Sequence, residues 1–67
     1  MKIKIKIEQS YGSYIATQAY PYTAGWRGCP LGSGGDALSA AHDLLVRANR
    51  ESATDYTLND LDLVSGS

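Results

Sequence analysis

The chain has 67 residues, of which 43% are apolar and 19% charged, so it forms one small domain and is too short for a two-domain enzyme. These are globular proportions, which exclude a disordered or collagen-like chain. The net charge is −1, so the strongly basic surface of a general nucleic-acid binder is absent. The charge is nevertheless uneven, because all six basic residues lie within residues 1–50 and residues 51–67 contain only acidic charges.

The cysteine count and the hydropathy pattern indicate a cellular compartment. Cys29 is the single cysteine, so no disulfide can form within the chain and a reducing cytosol is the expected setting. No apolar run approaches the roughly 18 residues of a membrane span. The N-terminus alternates lysine with isoleucine, where a signal peptide would be continuously apolar. We therefore expect a cytoplasmic protein without a membrane partner.

Three strands are predicted in the first half of the chain. Lysine and isoleucine alternate through residues 2–7, which predicts a strand at residues 2–9 with one apolar and one charged face. After a turn-forming stretch, residues 14–20 are again rich in β-prone side chains, so a hairpin is expected. A short edge strand is predicted at residues 24–29, between Pro21 and Pro30.

A single helix is predicted over residues 37–49. A glycine-rich turn, Gly32-Ser-Gly-Gly-Asp36, precedes it and ends in a residue suited to cap a helix. Apolar residues then recur at helical spacing, and Asp43 and Arg47 can pair on the opposite face. Asn49 is a plausible helix end.

A fourth strand is predicted at residues 56–64, with a register change at Asn59. The fold class is thus α+β, in the order β-β-β-α-β, with one mainly antiparallel sheet and a single helix packed on one face. If the last strand lies beside the first, the helical connection makes the two parallel. Asp60 and Asp62 would then share a face with the N-terminal lysines.

Several of these features resemble the HicB antitoxin domain. The matching elements are Tyr14-Ile15-Ala16 in the second strand, Gly28-Cys29, the turn Gly32-Ser-Gly-Gly-Asp36, and Ala40-Ala41-His-Asp-Leu-Leu45 in the helix. The resemblance spans most of residues 1–50. It departs at two positions, because the family usually has threonine where this chain has Asp36 and an acidic residue where it has Ser39.

The resemblance implies a partial ribonuclease-H-like fold without an active site, which binds and neutralises a small toxin ribonuclease. Many family members have a further C-terminal DNA-binding domain, for which no residues remain here, so we expect the binding role without the repressor role. A second form of the same activity is a phage-encoded inhibitor of a bacterial defence nuclease complex, of the anti-CRISPR type. The setting is then the cytoplasm of a bacterial host or of a phage-infected cell.

Catalytic, cofactor and metal sites are not predicted. The segment 32–37 fits a phosphate-binding glycine pattern, but it lacks the βαβ context and Asp36 would place negative charge at the phosphate position. Cys29 and His42 are the only residues of their types and have no neighbours at metal spacing. The aspartates fall on solvent-facing positions, where a surface role is the better account than a Mg²⁺ cluster. We therefore expect a non-enzymatic protein without a cofactor.

The predicted binding residues are aromatic, basic and acidic side chains. Aromatic residues and arginine are typical of protein interfaces because they bury much area with little loss of rotamer entropy. Acidic side chains of residues 51–62 would occupy phosphate sites on the nuclease. The predicted partner-binding set is Tyr14, Tyr20, Tyr22, Trp26, Arg27, Asp55, Asp60 and Asp62.

Two alternatives remain open for the surface and the assembly. Lys2, Lys4 and Lys6 beside tyrosines could bind RNA or DNA through base stacking, although the net charge favours a protein partner. A homodimer is expected because the core is small, with an edge strand or the helix as the contact.

Overall fold

The computed structural model describes residues 2–20, 22 and 24–65. It confirms the α+β fold in the order β-β-β-α-β: a four-stranded mixed sheet of order β3-β2-β1-β4 with one helix packed on it. The elements are β1 (Ile3–Ser10), β2 (Ser13–Gln18), β3 (Leu31–Gly34), α1 (Ala37–Ser52), a 3₁₀ turn (Leu58–Asp60) and β4 (Leu61–Ser65).

The alternating N-terminus forms β1 as predicted. Ile3, Ile5 and Ile7 are buried beneath the helix, while the intervening residues of the strand are exposed. A two-residue turn at Tyr11 and Gly12 leads into β2, and both residues have positive φ angles, of 50° and 79°. Such turns match the right-handed twist of paired strands, which explains a tight antiparallel hairpin here.

The last strand lies beside the first, and the two run parallel, as expected for that placement. Asp62 is in register with Lys4, so it lies on the lysine face of the sheet. The prediction that Asp60 shares that face is wrong. Asp60 belongs to the 3₁₀ turn, where its carboxylate accepts the backbone N–H of Thr57 at 2.9 Å. The turn also accounts for the register change expected at Asn59.

The prediction of a third strand at residues 24–29 is wrong. Gly25 and Gly28 have φ angles of 74° and 63°, which break an extended path. The strand forms instead at Leu31–Gly34, where the sequence suggested a turn. Pro21, which was expected to precede the predicted strand, lies outside the described residues.

The reason is a close approach between β3 and α1. A Cβ on Gly32 would meet the backbone N of Leu44 and the carbonyl O of Ala40, and would lie 2.6 Å from the Cα of Leu44. A Cβ on Gly34 would lie 2.6 Å from the Cβ of Ser39. These glycines therefore act as spacers in a strand, which allows the helix to pack directly on the backbone.

The helix begins at Ala37, as predicted, and Asp36 caps it by accepting the backbone N–H of Ser39 at 2.7 Å. It ends at Ser52, three residues beyond the predicted end at Asn49. The side chain of Asn49 does not stop the helix but binds the segment that follows. Its Oδ1 accepts the Thr54 hydroxyl at 2.7 Å, and its Nδ2 donates to the Tyr56 carbonyl at 3.0 Å.

The core lies between the sheet and α1 and is closed at one end by aromatic residues. The Trp26 and Tyr56 rings meet edge to face with centroids 5.8 Å apart, and the Tyr56 hydroxyl donates to the carbonyl of Ala24 at 2.9 Å. The segment after β2 is thereby fixed to the segment after α1. None of the described helices is both long and apolar enough to cross a membrane.

Candidate partner-binding surface

The sheet has one face covered by α1 and one face without a helix, which we call the open face. Because side chains alternate along each strand, the register assigns the residues of the two faces. The strand residues of the open face are Lys4, Lys6, Glu8, Ser10, Ser13, Ile15, Thr17, Leu31, Ser33, Asp62 and Val64. Lys2 is exposed and precedes β1 in the same alternating frame.

Charges of both signs lie together on the open face. The ammonium of Lys6 is 2.6 Å from a carboxylate oxygen of Glu8, and Asp62 lies next to Lys4 in the parallel register. The hydrogen bond from Lys6 to Glu8, together with the Glu8 charge, raises the pKa of Lys6. The lysine row is therefore accompanied by carboxylates and does not form a uniformly basic strip.

Apolar side chains lie on the strands to either side of the charged strand β1. Leu31 in β3 is 51% exposed and lies in register with Thr17, while Ile15 and Val64 are half-buried on the same face. None of these three residues was predicted from the sequence as a binding residue. Val64 could have been identified because it lies two residues after Asp62 and therefore shares its face. Leu31 could not, because β3 was not predicted at its observed position.

Two tyrosines form an exposed pair beside the open face. Tyr20 and Tyr22 are 79% and 70% exposed, and their rings meet edge to face with centroids 6.2 Å apart. Tyr22 lies close enough to Lys6 to contribute, after Glu8, to the raised pKa of that lysine. The structure thus brings these two predicted binding residues together next to the charged strand β1.

A groove of about 550 Å³ continues from this pair toward the start of β3. Thr17 belongs to the open face and also lines the groove, so the two surfaces are continuous. The other lining residues are Gln18, Tyr22, Trp26, Gly28, Cys29 and Pro30. The Cys29 thiol is free and exposed within this lining.

The other two predicted aromatic binding residues are used mainly for folding. Tyr14 shares the frame of Ala16 and packs partly against the core, so the expectation that it lies beside the lysines is wrong. Trp26 is only 8% exposed, and its indole Nε1 donates to the Thr54 hydroxyl at 3.2 Å. Its neighbour Arg27 is exposed, with its backbone N–H bound to the Ser52 hydroxyl at 2.8 Å.

The acidic residues predicted to bind a partner fall into three different settings. Asp62 lies on the open face, and Asp55 is exposed in the segment between α1 and the 3₁₀ turn. Asp60 is engaged in a capping box with Thr57. Asp62 is therefore the acidic residue of this set that joins the candidate surface.

The glycine pattern and the polar residues considered for catalysis lie elsewhere. Gly32 and Gly34 are strand residues, and the Asp36 carboxylate occupies the start of α1, where the Ser39 N–H lowers its pKa. Within residues 2–20, 22 and 24–65, no three His, Cys, Asp or Glu side chains form a group suited to a metal ion. His42 is exposed on α1, near Leu38 and Leu58, and Cys29 lines the groove described above.

No family model, no curated protein sequence and no solved structure matches this chain.

Proposed function

We propose that this chain is a non-catalytic binding module that inhibits a nuclease through the open face of its sheet. The observation that supports a binding function most directly is the composition of this face. The half-buried or exposed residues Ile15 and Leu31, on β2 and β3, and Val64, on β4, flank the charged residues of β1, and the exposed Tyr20–Tyr22 pair lies beside the face. Exposed apolar and aromatic residues next to charged and polar groups are typical of protein interfaces.

The charges favour a protein over a nucleic acid as the partner. A surface that binds a phosphate backbone gains affinity from uncompensated cations. Here Lys6 is paired with Glu8 and Lys4 lies beside Asp62, so two of the lysines have carboxylate neighbours. Paired charges of both signs instead give specificity for a partner with complementary charges.

The resemblance to the HicB antitoxin domain supports a nuclease as that partner. In such a complex, Asp62 would face basic groups with which the nuclease binds RNA phosphates. The partner is then a toxin ribonuclease or, in the phage-encoded form, a bacterial defence nuclease complex. Binding that covers the substrate site inhibits the enzyme without any chemistry by this chain.

A capture experiment tests this proposal. The chain is used as bait in bacterial lysate at low and at high salt, bound proteins are identified by mass spectrometry, and the captured nuclease is assayed for RNA cleavage with and without added chain. We expect a nuclease to be recovered at low salt and its cleavage to fall as chain is added. Asp62→Asn should weaken capture and make it less sensitive to salt. An unchanged affinity would contradict the charge complementarity.

Direct nucleic-acid binding is the second candidate, and the exposed Tyr20–Tyr22 pair, which follows the bond from Ala19 N–H to the Lys4 carbonyl at 2.9 Å, favours it. An exposed ring beside a cation can stack on a single-stranded base while the cation binds phosphate. Mobility shifts with short oligonucleotides at low salt separate the two functions. Binding that is lost in Lys4→Ala and Tyr22→Ala, together with recovery of nucleic acid alone from lysate, would favour this candidate over a nuclease partner.

A further inference from the structure

The two edges of the sheet are protected to different degrees. At the β3 edge, the Asp43 carboxylate of α1 accepts the backbone N–H of Ser33 at 3.0 Å. Since that N–H bonds to the helix, it is not available to another strand. Because Gly32 and Gly34 lack a Cβ, α1 also lies directly against β3. The edge at β3 is thus covered by the protein's own helix.

Among residues 2–20, 22 and 24–65, none protects the β4 edge in a comparable way. Among the described residues, β1 is the only strand that pairs with β4. The helix packs mainly against β3 and β2, so Leu63 of β4 lies half-buried at the margin of the core. Strand edges that avoid association are typically shielded by lysine, proline, a bulge or a covering element. Within Leu61–Ser65 the only charged residue is Asp62.

We propose that β4 pairs antiparallel with β4 of a second copy of this chain, which joins two sheets into one of eight strands. A two-fold symmetric pair makes the same contacts twice, so the sequence of the strand must be complementary to itself. Full overlap of the five residues places Leu63 opposite Leu63 of the second copy. Asp62 then lies opposite Val64, and no two carboxylates face each other.

The two faces of the joined sheet remain consistent in this arrangement. The two Leu63 side chains meet on the helix side, where each is incompletely covered within its own protomer. Asp62 and Val64 continue the open face from one copy to the next. The contact is small, so the dimer forms in a concentration-dependent way. This inference does not depend on the identity of the partner or on the proposed inhibition.

A pair of substitutions at one position tests the register. Within a protomer, Val64 lies beside Lys6, so Val64→Asp gains an opposite charge in its own sheet and Val64→Lys gains a like charge. Across the proposed contact the effects are reversed, because position 64 faces Asp62 of the second copy. There Val64→Asp meets a like charge and Val64→Lys meets an opposite charge. We expect the dissociation constant of Val64→Asp to exceed that of Val64→Lys by at least about tenfold.

Sedimentation equilibrium of the full chain, up to roughly 1 mM, measures these constants. In parallel, amide resonances of Leu61–Ser65 should shift with concentration in the wild type while those of Leu31–Gly34 stay constant. Equal dissociation constants for the two variants, or a wild type that is monomeric throughout, would overturn the proposal. So would β4 amides that respond only to an added partner protein, which would assign this edge to a strand of that partner.

Discussion

The carboxylate of Asp43, in the middle of α1, accepts the backbone N–H of Ser33 in β3 at 3.0 Å. The same oxygen accepts a hydrogen bond from Arg47 Nε at 3.3 Å, one helical turn further along. The predicted pair of Asp43 and Arg47 is therefore present in the helix, but Asp43 also binds β3. A residue that the sequence places on the solvent face thus fixes the helix to the edge of the sheet.

This bond gives a pH dependence of stability. The Ser33 N–H is the main cause of the lowered pKa of Asp43, with Arg47 as a smaller one. A carboxyl whose pKa is lower in the folded state stabilises the fold above its unfolded pKa, and that stabilisation is lost as pH falls through the lowered value, below about pH 4. Asp43→Asn should reduce the free energy of unfolding at pH 7 and weaken its decline in acid.

Urea unfolding followed by Trp26 fluorescence at several pH values measures this effect. Arg47→Ala is the matched control, since it removes the helical pair but leaves the bond to Ser33. It should keep most of the acid dependence. The capping carboxylate of Asp36, whose pKa is also lowered, contributes its own share in both variants. If the free energy of unfolding declined equally steeply at low pH in Asp43→Asn and in the wild type, the account would be contradicted.

The glycine spacers give a second prediction. Gly32→Ala forces a Cβ into the backbone of α1 and should cost about 3 kcal/mol of stability. Gly35→Ala is the control, because a Cβ there has no neighbour within 4 Å, and its effect should stay within about 0.5 kcal/mol. Denaturant titration of both variants measures this difference in stability. Similar stability of the two would show that α1 does not lie on the β3 backbone.

Trp26 and Tyr22 line the same groove but should respond differently to truncation. Trp26→Ala removes a buried ring and its bond to Thr54, so we expect a loss of about 3–5 kcal/mol in the free energy of unfolding. Tyr22→Ala removes an exposed ring and should leave stability nearly unchanged while it weakens partner binding. Thermal unfolding by circular dichroism compares them. A large stability loss in Tyr22→Ala would contradict its assignment to the binding surface.

The conformation of the segment that follows the helix depends on Asn49. Its amide binds both the N–H and the carbonyl of Tyr56 and also the Thr54 hydroxyl. Asn49→Ala leaves these groups without their partner and should cost about 1–3 kcal/mol. Asn59→Ala, at an exposed position of the 3₁₀ turn, is the control and should have little effect on the unfolding midpoint in urea. Equal midpoints for the two variants would rule out the organising role of Asn49.

The elements that the sequence predicted well depend on local patterns. The alternation in β1 and the capping of α1 by Asp36 need only neighbouring residues, and the parallel pairing of β4 follows from the helical connection. The position of β3 could not be read in this way. The glycines at positions 32 and 34 are typical of a turn. The close approach of Leu44 and the rest of α1 is the reason that glycines occupy these strand positions.

The binding surface was predictable in part for the same reason. Tyr20, Tyr22 and the lysines were identified because their residue types and alternation are visible in the sequence. The burial of Trp26 depends on Thr54, which is 28 residues away, and no local pattern reports that contact. Leu31 was missed because its face is defined only once β3 pairs with β2.

The most direct test of the open face as the binding site compares two leucine substitutions. Leu31 lies on the open face and Leu38 on α1, and both are more than half exposed, so Leu31→Glu and Leu38→Glu add the same charge with little effect on the core. The measurement is the inhibition of RNA cleavage by the captured nuclease, with each variant titrated against the wild type. The account predicts that Leu31→Glu raises the concentration needed for half-inhibition at least about tenfold, while Leu38→Glu inhibits as the wild type does. Normal inhibition by Leu31→Glu, with loss in Leu38→Glu, would place the binding site on the helix and contradict the account.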